Sequence, residues 1–290
     1  MGNVVSYARV IRLNVTTAFR WKDLLWTIVL FSLIGLFGVY EVVSYPTALS
    51  KNVWDVLFVT FSGPGLVNDS LFEFVHWFLP YLFFFYLFGN IAEEDLSQRG
   101  VSLIPLIGSR RTWWLGEVVT LLILSFFYVA TGVATILIVS RCFLPWSTHL
   151  SPFLLSSGIW QTIPKDLSVA TLLLRWIFPL FFGTLFAVSF LQMALSLQWR
   201  NAFLSFIAAS AMMILSWLFG IRHPSVVRWL PGSQSMLLRH TFLEPQVRGF
   251  SLAWSLGYNA VIILAVLVIS FIYVRRIDIV REISEIHKEA

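Results

Sequence analysis

Long apolar runs separated by short polar stretches dominate this chain. Six of the runs are long enough to cross a bilayer, which takes about 20 apolar residues in a helix; they lie at about 24–43, 74–91, 116–139, 172–197, 202–220 and 253–274. A helix satisfies its own backbone hydrogen bonds, so runs of this length predict helices rather than open strands in lipid. The pattern predicts an all-α integral membrane protein, with six transmembrane helices in a single domain over residues 1–290.

Residues 3–20 precede the first run and have a different pattern. Apolar residues recur at helical spacing on one side, and polar or basic residues occupy the other, namely Arg9, Arg12, Thr16 and Arg20. This pattern predicts an amphipathic helix in the membrane interface. A helix packed on a soluble partner is the alternative. The run that follows is too long for a cleavable signal, so we expect it to be retained as an anchor.

The stretch between the second and third runs reads acidic, then apolar, then basic, then aromatic. Glu93, Glu94 and Asp95 form an acidic run that cannot lie in hydrocarbon. The apolar residues 101–107 are too few to span a bilayer. Arg110 and Arg111 directly precede a Trp pair, as at the cytoplasmic start of a membrane helix. We therefore predict a structured cytoplasmic loop.

Composition and charge agree with this interpretation. The chain is 58% hydrophobic and 12% charged, with mean hydropathy +0.81, whereas soluble domains carry about 25% charged residues. Twelve Lys and Arg residues fall on the side of the two termini and seven on the other side. This bias predicts cytoplasmic termini in a multi-pass cell-membrane protein. The net charge of +5 is explained by orientation, so we do not expect nucleic-acid binding.

The third external loop, residues 221–252, mixes three prolines with apolar residues and four arginines. Such a composition predicts a re-entrant segment that dips into the outer leaflet, where protein must cover its irregular backbone. Its arginines weaken the charge bias between the two sides.

A few polar or small residues stand out within the spans. Arg175 lies near the outer end of the fourth span, where snorkelling or an ion pair is favoured over a substrate contact. Ser205 and Ala209 belong to a small-residue face that could be a dimer seam or internal packing. Asn259 should form a hydrogen bond across helices. No spacing predicts a metal site, since Glu73 and His76 make only half of one.

Motifs for chemistry are absent from the sequence. There is no glycine-rich phosphate loop followed by Lys and Ser or Thr. No Ser, His and Asp set is placed to converge in a pocket. The chain itself is therefore not expected to be an enzyme or to bind a cofactor.

With these features together, the chain resembles the ABC-2 type permeases, the membrane subunits of ABC exporters. The resemblance rests on the interfacial helix, the six spans, Glu93-Glu94 at the end of span two, and the run from Pro105 to Glu117. The segment from Trp229 to Met236 resembles the external re-entrant segment of that family. Glu117 stands where a lysine is frequent in the family, so the subfamily stays open.

The resemblance implies partners and a mechanism. A separate ATPase subunit would bind ATP and magnesium and dock on a coupling helix in the loop between spans two and three, with the interfacial helix (Arg9, Arg12, Arg20) beside it. A second permease subunit would pair with the chain in the lipid membrane, and Arg175, Ser205, Ala209 and Asn259 are candidates for the substrate path or the dimer seam. The implied docking residues are Glu93, Glu94, Asp95, Gln98, Arg99, Arg110 and Arg111.

The expected function is export of an amphipathic or hydrophobic substrate, such as a peptide antimicrobial, a lipid or a drug, across a bacterial membrane. Bacteriocin export or self-protection falls within this class. A non-transporting immunity or assembly factor that binds a partner in the bilayer is the alternative. The two differ in whether an ATPase gene lies beside this one.

Overall fold

The computed structural model describes residues 7–64, 71–97, 107, 109–156, 168–241 and 249–276. Over these ranges the chain is mainly helical and contains no β-strand; its β-type contacts are two isolated bridges, His149 with Ser168 and His240 with Phe250. The helices in chain order are α1 Tyr7–Ala18, α2 Trp21–Ser44, α3 Val53–Ser62, α4 Leu71–Phe88, α5 91–97, α6 Arg110–Arg141, α7 Pro152–Ser156, α8 Val169–Trp199, α9 Ala202–Arg222 and α10 Leu252–Arg276.

Six helical segments are long and apolar enough to cross a membrane, which confirms the number of predicted spans. They are α2, α4 continued through α5 to Ser97, α6, α8, α9 and α10. Each segment contains the central part of one predicted run. The ends of the helices differ from the ends of the runs by a few residues, because helix caps and first turns are polar. The architecture is therefore that of a multi-pass membrane protein.

Helix α8 is the central helix of the bundle. In its most apolar window 72% of the residues are buried, against 22% for α10. It packs on α6, α9 and α10. Residues Leu172–Ile177 form a π-helical turn that ends two positions before Pro179. The wider turn accommodates the missing N–H of the proline, and insertions of this kind are a known cause of helix distortion.

Helices α4 and α5 are separated by a turn at Gly89 and Asn90. The side-chain amide of Gln192 on α8 donates to the Phe85 carbonyl at 3.0 Å. A Cβ at Gly89 would overlap that amide, so glycine is needed for this close approach. After this turn α5 continues the span and brings Asp95 into contact with Trp113 at the start of α6.

The short helix α3 was not predicted, because residues 44–73 were assigned to an external loop. Nine of its ten residues are buried, and it packs among α2, α4 and α6. Asn52 caps it and Asp55 completes a capping box, so both residues satisfy backbone donors at the helix start. A ten-residue apolar helix is too short to span a bilayer, and the sequence analysis selected only apolar runs long enough to do so, so this helix was missed.

Buried polar contacts join α3 to the loop that follows α6. Ser151 Oγ donates to Asp55 Oδ1 at 2.5 Å, and the Asn52 side-chain amide donates to the His149 carbonyl at 3.0 Å. The Trp54 indole N–H donates to the Ser147 carbonyl at 2.6 Å. These bonds fasten two long loops into one compact layer at this end of the bundle.

This layer should respond to pH through Asp55. Burial raises the pKa of Asp55 from 3.8 to about 6, partly offset by the Ser151 and Asn52 hydrogen bonds. The folded chain thus holds a proton that the unfolded chain releases between these pH values. The contribution is fully present below about pH 4 and is lost as pH rises through 6, so the free energy of unfolding should fall by up to about 3 kcal/mol across this window. Unfolding in detergent at stepped pH measures it.

Asp55→Asn is the matched control for this prediction. The amide keeps the shape of the side chain but cannot titrate, so the fall in the free energy of unfolding between pH 4 and 6 should be smaller in the variant by the Asp55 share. Other carboxyl groups with raised pKa values, such as Glu93, still contribute. An equal slope in both proteins would show that another group causes it.

The segment after α9 consists of three 3-10 turns, Pro224–Trp229, Gly232–Ser235 and Leu237–Arg239. Its second half is almost fully buried against α8, α9 and α10. Burial lowers the pKa of His240 from 6.5 to about 4, and the ring contacts the Met236 carbonyl and Ser255 Oγ. Short turns covered by protein are what the composition of this loop predicted. That they re-enter a bilayer stays a prediction.

Arg239 corrects the sequence interpretation of this loop. Its side chain has no solvent exposure, and Nη1 donates to the Ser216 carbonyl at 3.0 Å and to Ser233 Oγ at 2.7 Å. It was counted among loop arginines that weaken the charge bias. It acts instead as an internal cross-link between this segment and α9, so it is not a freely hydrated external charge.

The two ends of the bundle carry different elements. At the end that we call proximal, α1, α5, the start of α6 and the end of α10 lie together, and Arg110 Nη1 approaches the Arg275 carbonyl at 3.5 Å. At the distal end lie the α3 layer and the turns around Arg239. The first and last described helices therefore meet at one end, as six spans require.

Candidate functional site

The loop between spans two and three is tied to span three by a buried bond. Trp113 Nε1 donates to Asp95 Oδ2 at 2.9 Å, and the two side chains are 1% and 5% exposed. Ser109 caps α6 by accepting from the Thr112 backbone N–H. The Asp95–Trp113 bond joins α5 directly to the start of α6.

The three acids of α5 do not form one charged face, so they cannot all contact a docked partner as the sequence analysis expected. Asp95 points inward, Glu93 is half-buried and Glu94 is exposed. Glu94 accepts from the Asn90 side chain at 2.9 Å. Consecutive residues on a helix are about 100° apart, so three acids in a row cannot all face one partner. Two predicted docking residues, Gln98 and Arg99, lie outside the described residues.

Arg110 and Arg111 lie where the sequence placed them, at the start of α6. Arg111 is exposed, and its guanidinium lies 5.4 Å from the ring centre of Phe271 on α10. Arg275 lies 5.3 Å from the same ring. Cation–π contacts of this kind hold basic groups against an apolar helix end. The proximal end thus presents a cluster of arginines from α6 and α10.

Helix α1 packs on the start of α6 through a polar contact. Asn14 Nδ2 donates to Glu117 Oε1 at 2.6 Å, and both side chains are 2% exposed. Val10 lies against Gly116, where a larger residue would crowd it. From the sequence, Glu117 was expected to pair with a basic neighbour at the cytoplasmic face; the structure shows that it also accepts from the neutral side chain of Asn14, a residue that the sequence did not single out.

The predicted apolar side of α1 is not its protein-facing side. Val10 and Asn14 are buried, whereas Val15 is half-buried and Phe19 is 38% exposed. One flank of the helix therefore contacts α6 while the adjoining apolar stripe stays uncovered. Arg9, Arg12 and Arg20 are exposed. One side of α1 thus packs on protein while apolar residues on the next side stay at least partly exposed; that α1 lies in a membrane interface stays a prediction.

A polar cleft of about 620 Å³ opens at the proximal end between α1, α2, the α4–α5 turn and α6. Asn14, Asp95 and Glu117 line it and are buried. Exposed charged residues also line it, namely Arg20, Lys22 and Glu94. The volume falls within the usual range for small-molecule pockets. This cleft is the strongest candidate site in the described part of the chain.

A smaller apolar groove of about 240 Å³ lies beside the cleft. Phe19, Leu24, Phe88 and Phe127 are among the residues that line it. Asp23 lines both spaces, so the groove and the cleft share a border. Phe127 is 56% exposed, which leaves the groove accessible from the side of the bundle.

The other predicted path residues lie on three different helices, α8, α9 and α10. Asn259 Nδ2 donates to Thr184 Oγ1 on α8 at 3.1 Å, which confirms a hydrogen bond across helices. Ser205 and Ala209 are 0% and 2% exposed on α9, whose main neighbour is α8. Their burial favours internal packing over a seam between copies. Arg175 is exposed on the π-helical turn, as snorkelling requires.

Within the described ranges no three His, Cys, Asp or Glu side chains are grouped to hold a metal ion. Comparison with known protein families, with curated proteins and with solved structures gives no match.

Sequence reasoning missed the cleft because its walls come from distant parts of the chain. Asn14 and Glu117 are separated by more than a hundred positions, and each alone is an unremarkable polar residue. A signal was nevertheless present. Both are polar residues in helices otherwise rich in apolar side chains, and such residues inside or beside membrane spans usually pair with one another.

Proposed function

We propose that the chain is the permease subunit of an ATP-driven exporter of the ABC-2 type. A separate ATPase subunit would dock at the proximal end and hold ATP with magnesium, and a second permease subunit would complete the assembly in a bacterial cell membrane. The substrate class is an amphipathic or hydrophobic molecule. The observation that carries the proposal is the Asp95–Trp113 bond, which joins the short helix bearing the exposed Glu94 to the start of a span.

The geometry of the proximal end supports a docking surface. Glu94 is exposed on α5, and Arg111 is exposed close by in the chain at the start of α6. A partner that contacts both charges can be oriented through electrostatic complementarity. Because α5 continues from α4 and is bonded to α6, a force applied there reaches two spans together.

A second attachment strengthens this interpretation. Helix α1 is bonded to α6 through Asn14 and Glu117, a few residues beyond Trp113. A partner that moves α1 or α5 would therefore act on the same stretch of α6. A conformational change can be driven in this way only if the partner binds the two states with different affinity.

The test separates docking from force transmission. A photo-crosslinking residue replaces Glu94, and the same residue replaces the exposed Arg228 at the distal end as a control. We expect Glu94 alone to capture a protein with nucleotide-binding motifs, identified by mass spectrometry from the native host. Capture at both positions or at neither would contradict the docking assignment.

Two substitutions then distinguish binding from coupling in the reconstituted pair. Glu94→Ala should weaken binding of the ATPase subunit, because it removes an exposed contact. Asp95→Asn keeps the hydrogen-bond acceptor but removes the charge facing the indole, so it should leave binding intact and reduce stimulated ATP turnover by about threefold to tenfold, the loss expected for weakening one charge-assisted bond. Unchanged turnover with Asp95→Asn would show that the Trp113 bond transmits nothing.

A further inference from the structure

The polar cleft and the apolar groove adjoin one another. Asp23 lines both, so a ligand could place a polar group in the cleft and an apolar tail in the groove. The combination fits an amphiphile rather than a soluble polar molecule, because the groove walls are largely aromatic and aliphatic.

The mouth of the cleft lies among side chains typical of headgroup depth. Trp26 and Tyr86 line it and are 60% and 70% exposed. Trp and Tyr concentrate at the membrane–water interface because their rings are apolar and their N–H or O–H groups are polar. Arg20 and Lys22 lie beside them. The mouth is thus positioned for the headgroup of a lipid in the adjacent leaflet.

The deep wall of the cleft offers hydrogen-bond acceptors. Asn14 donates to Glu117, which fixes its amide orientation and turns Oδ1 the other way. That oxygen is buried and has no hydrogen-bond partner among the described residues. A buried acceptor without a donor is costly, so a ligand N–H at this position would be favoured.

The charges of the cleft select between headgroups. Acidic side chains outnumber basic ones in its lining, with Asp23, Glu94, Asp95 and Glu117 against Arg20 and Lys22. A purely anionic headgroup would meet this excess of carboxyl groups. A headgroup that carries both a primary ammonium and a phosphate can pair with the acidic and the basic side chains at once. The ammonium would lie towards Asn14, and the phosphate towards the exposed basic residues at the mouth.

We propose that this cleft and groove bind a phospholipid with a phosphoethanolamine headgroup, taken from the leaflet at the proximal end. The ammonium donates to Asn14 Oδ1 and to the neighbouring carboxyl groups. The phosphate pairs with Arg20 and Lys22, and an acyl chain lies along Phe19, Leu24 and Phe127. The site does not depend on an ATPase partner, so its test is independent of the proposed transport function.

The experiment titrates short-chain lipids into the purified full chain in detergent and follows thermal unfolding. Didecanoyl phosphatidylethanolamine is compared with two lipids that have the same acyl chains. Didecanoyl phosphatidylcholine has no N–H donor in its headgroup, and didecanoyl phosphatidylglycerol has no ammonium group. We expect half-maximal stabilisation by the ethanolamine lipid at a concentration at least about tenfold lower, the factor that one charge-assisted hydrogen bond supplies. Equal effects, or a preference for phosphatidylglycerol, would overturn the proposal.

Soluble glycerophosphoethanolamine distinguishes the membrane source from a free headgroup. It lacks acyl chains, so it should stabilise the chain at least about tenfold less well at equal concentration, because it buries no methylene groups in the groove. Equal stabilisation would show that the groove holds no acyl chain and would overturn the assignment to a lipid.

Two sets of variants separate the two halves of the headgroup. Asn14→Leu should abolish the preference for ethanolamine over choline while leaving the choline response in place. The exposed pair Arg20→Gln and Lys22→Gln should weaken both lipids to a similar degree, and it remains informative if Asn14→Leu fails to fold. Arg228→Gln at the distal end is the control and should change neither response. A pair variant with unchanged lipid responses would contradict the phosphate contact.

Discussion

Replacing Arg239 by Met is expected to lower the free energy of unfolding by at least about 3 kcal/mol, since two hydrogen bonds from a charged donor are lost. Nη1 of this buried guanidinium donates hydrogen bonds to both the Ser216 carbonyl and Ser233 Oγ. Met fills much of the volume but donates nothing. The acceptors would stay buried between α9 and the 3-10 turns, and the turns would lose their attachment to the bundle.

Thermal unfolding in detergent, followed by circular dichroism, measures the effect of Arg239→Met. Arg222→Met is the matched control, because Arg222 ends α9 and is exposed. We expect the control to stay within about 0.5 kcal/mol of the parent chain, as surface substitutions do. Equal losses in the two variants would show that the buried guanidinium has no special structural role.

Gly220 provides an independent route to the same contact. A Cβ at this position would overlap the Arg239 guanidinium. Gly220→Ala should therefore be destabilising alone and should add little to Arg239→Met, since both disrupt one contact. Non-additivity of this kind is expected for residues that share a network. Simple addition of the two effects would contradict a shared origin.

Replacing Gly132 by Ala is the second substitution with a large expected effect. A Cβ at Gly132 on α6 would overlap the ring of Phe31 on α2. Phe31 has no solvent exposure and also lies edge-on to Tyr128, so its ring cannot move aside freely. We expect a net destabilisation of about 1–3 kcal/mol, the usual cost of overpacking.

Gly257→Ala is the matched control for Gly132→Ala. Both glycines lie inside long apolar helices, but a Cβ at Gly257 meets nothing within 4 Å. The intrinsic helix preference of Ala over Gly is common to both, about 0.8–1 kcal/mol. Gly257→Ala should therefore be neutral or stabilising, and the difference between the variants isolates the α2–α6 contact. Equal effects would show that this interface is loosely packed.

The proximal end shows which features of the site can be predicted from local sequence patterns and which cannot. The acidic residues of α5, the basic pair at the start of α6 and the interfacial helix could each be recognised from their composition. Their mutual arrangement could not be, because it depends on which side chains turn inward. Asp95 bonds to Trp113 while Glu94 stays exposed, although the two are neighbours in the chain. The cleft that they help to line appears only when α1, α2, α5 and α6 meet.

By itself the sequence determined the class of the protein and the number and order of its long helices. Lipid imposes that outcome, since a run of about 20 apolar residues must form its own backbone hydrogen bonds. The tertiary structure alone decided that α3 is a buried helix and that Arg239 is an internal cross-link. The physical reason is that burial of a short or charged segment depends on distant partners such as Ser151 and Ser216, which no local periodicity encodes.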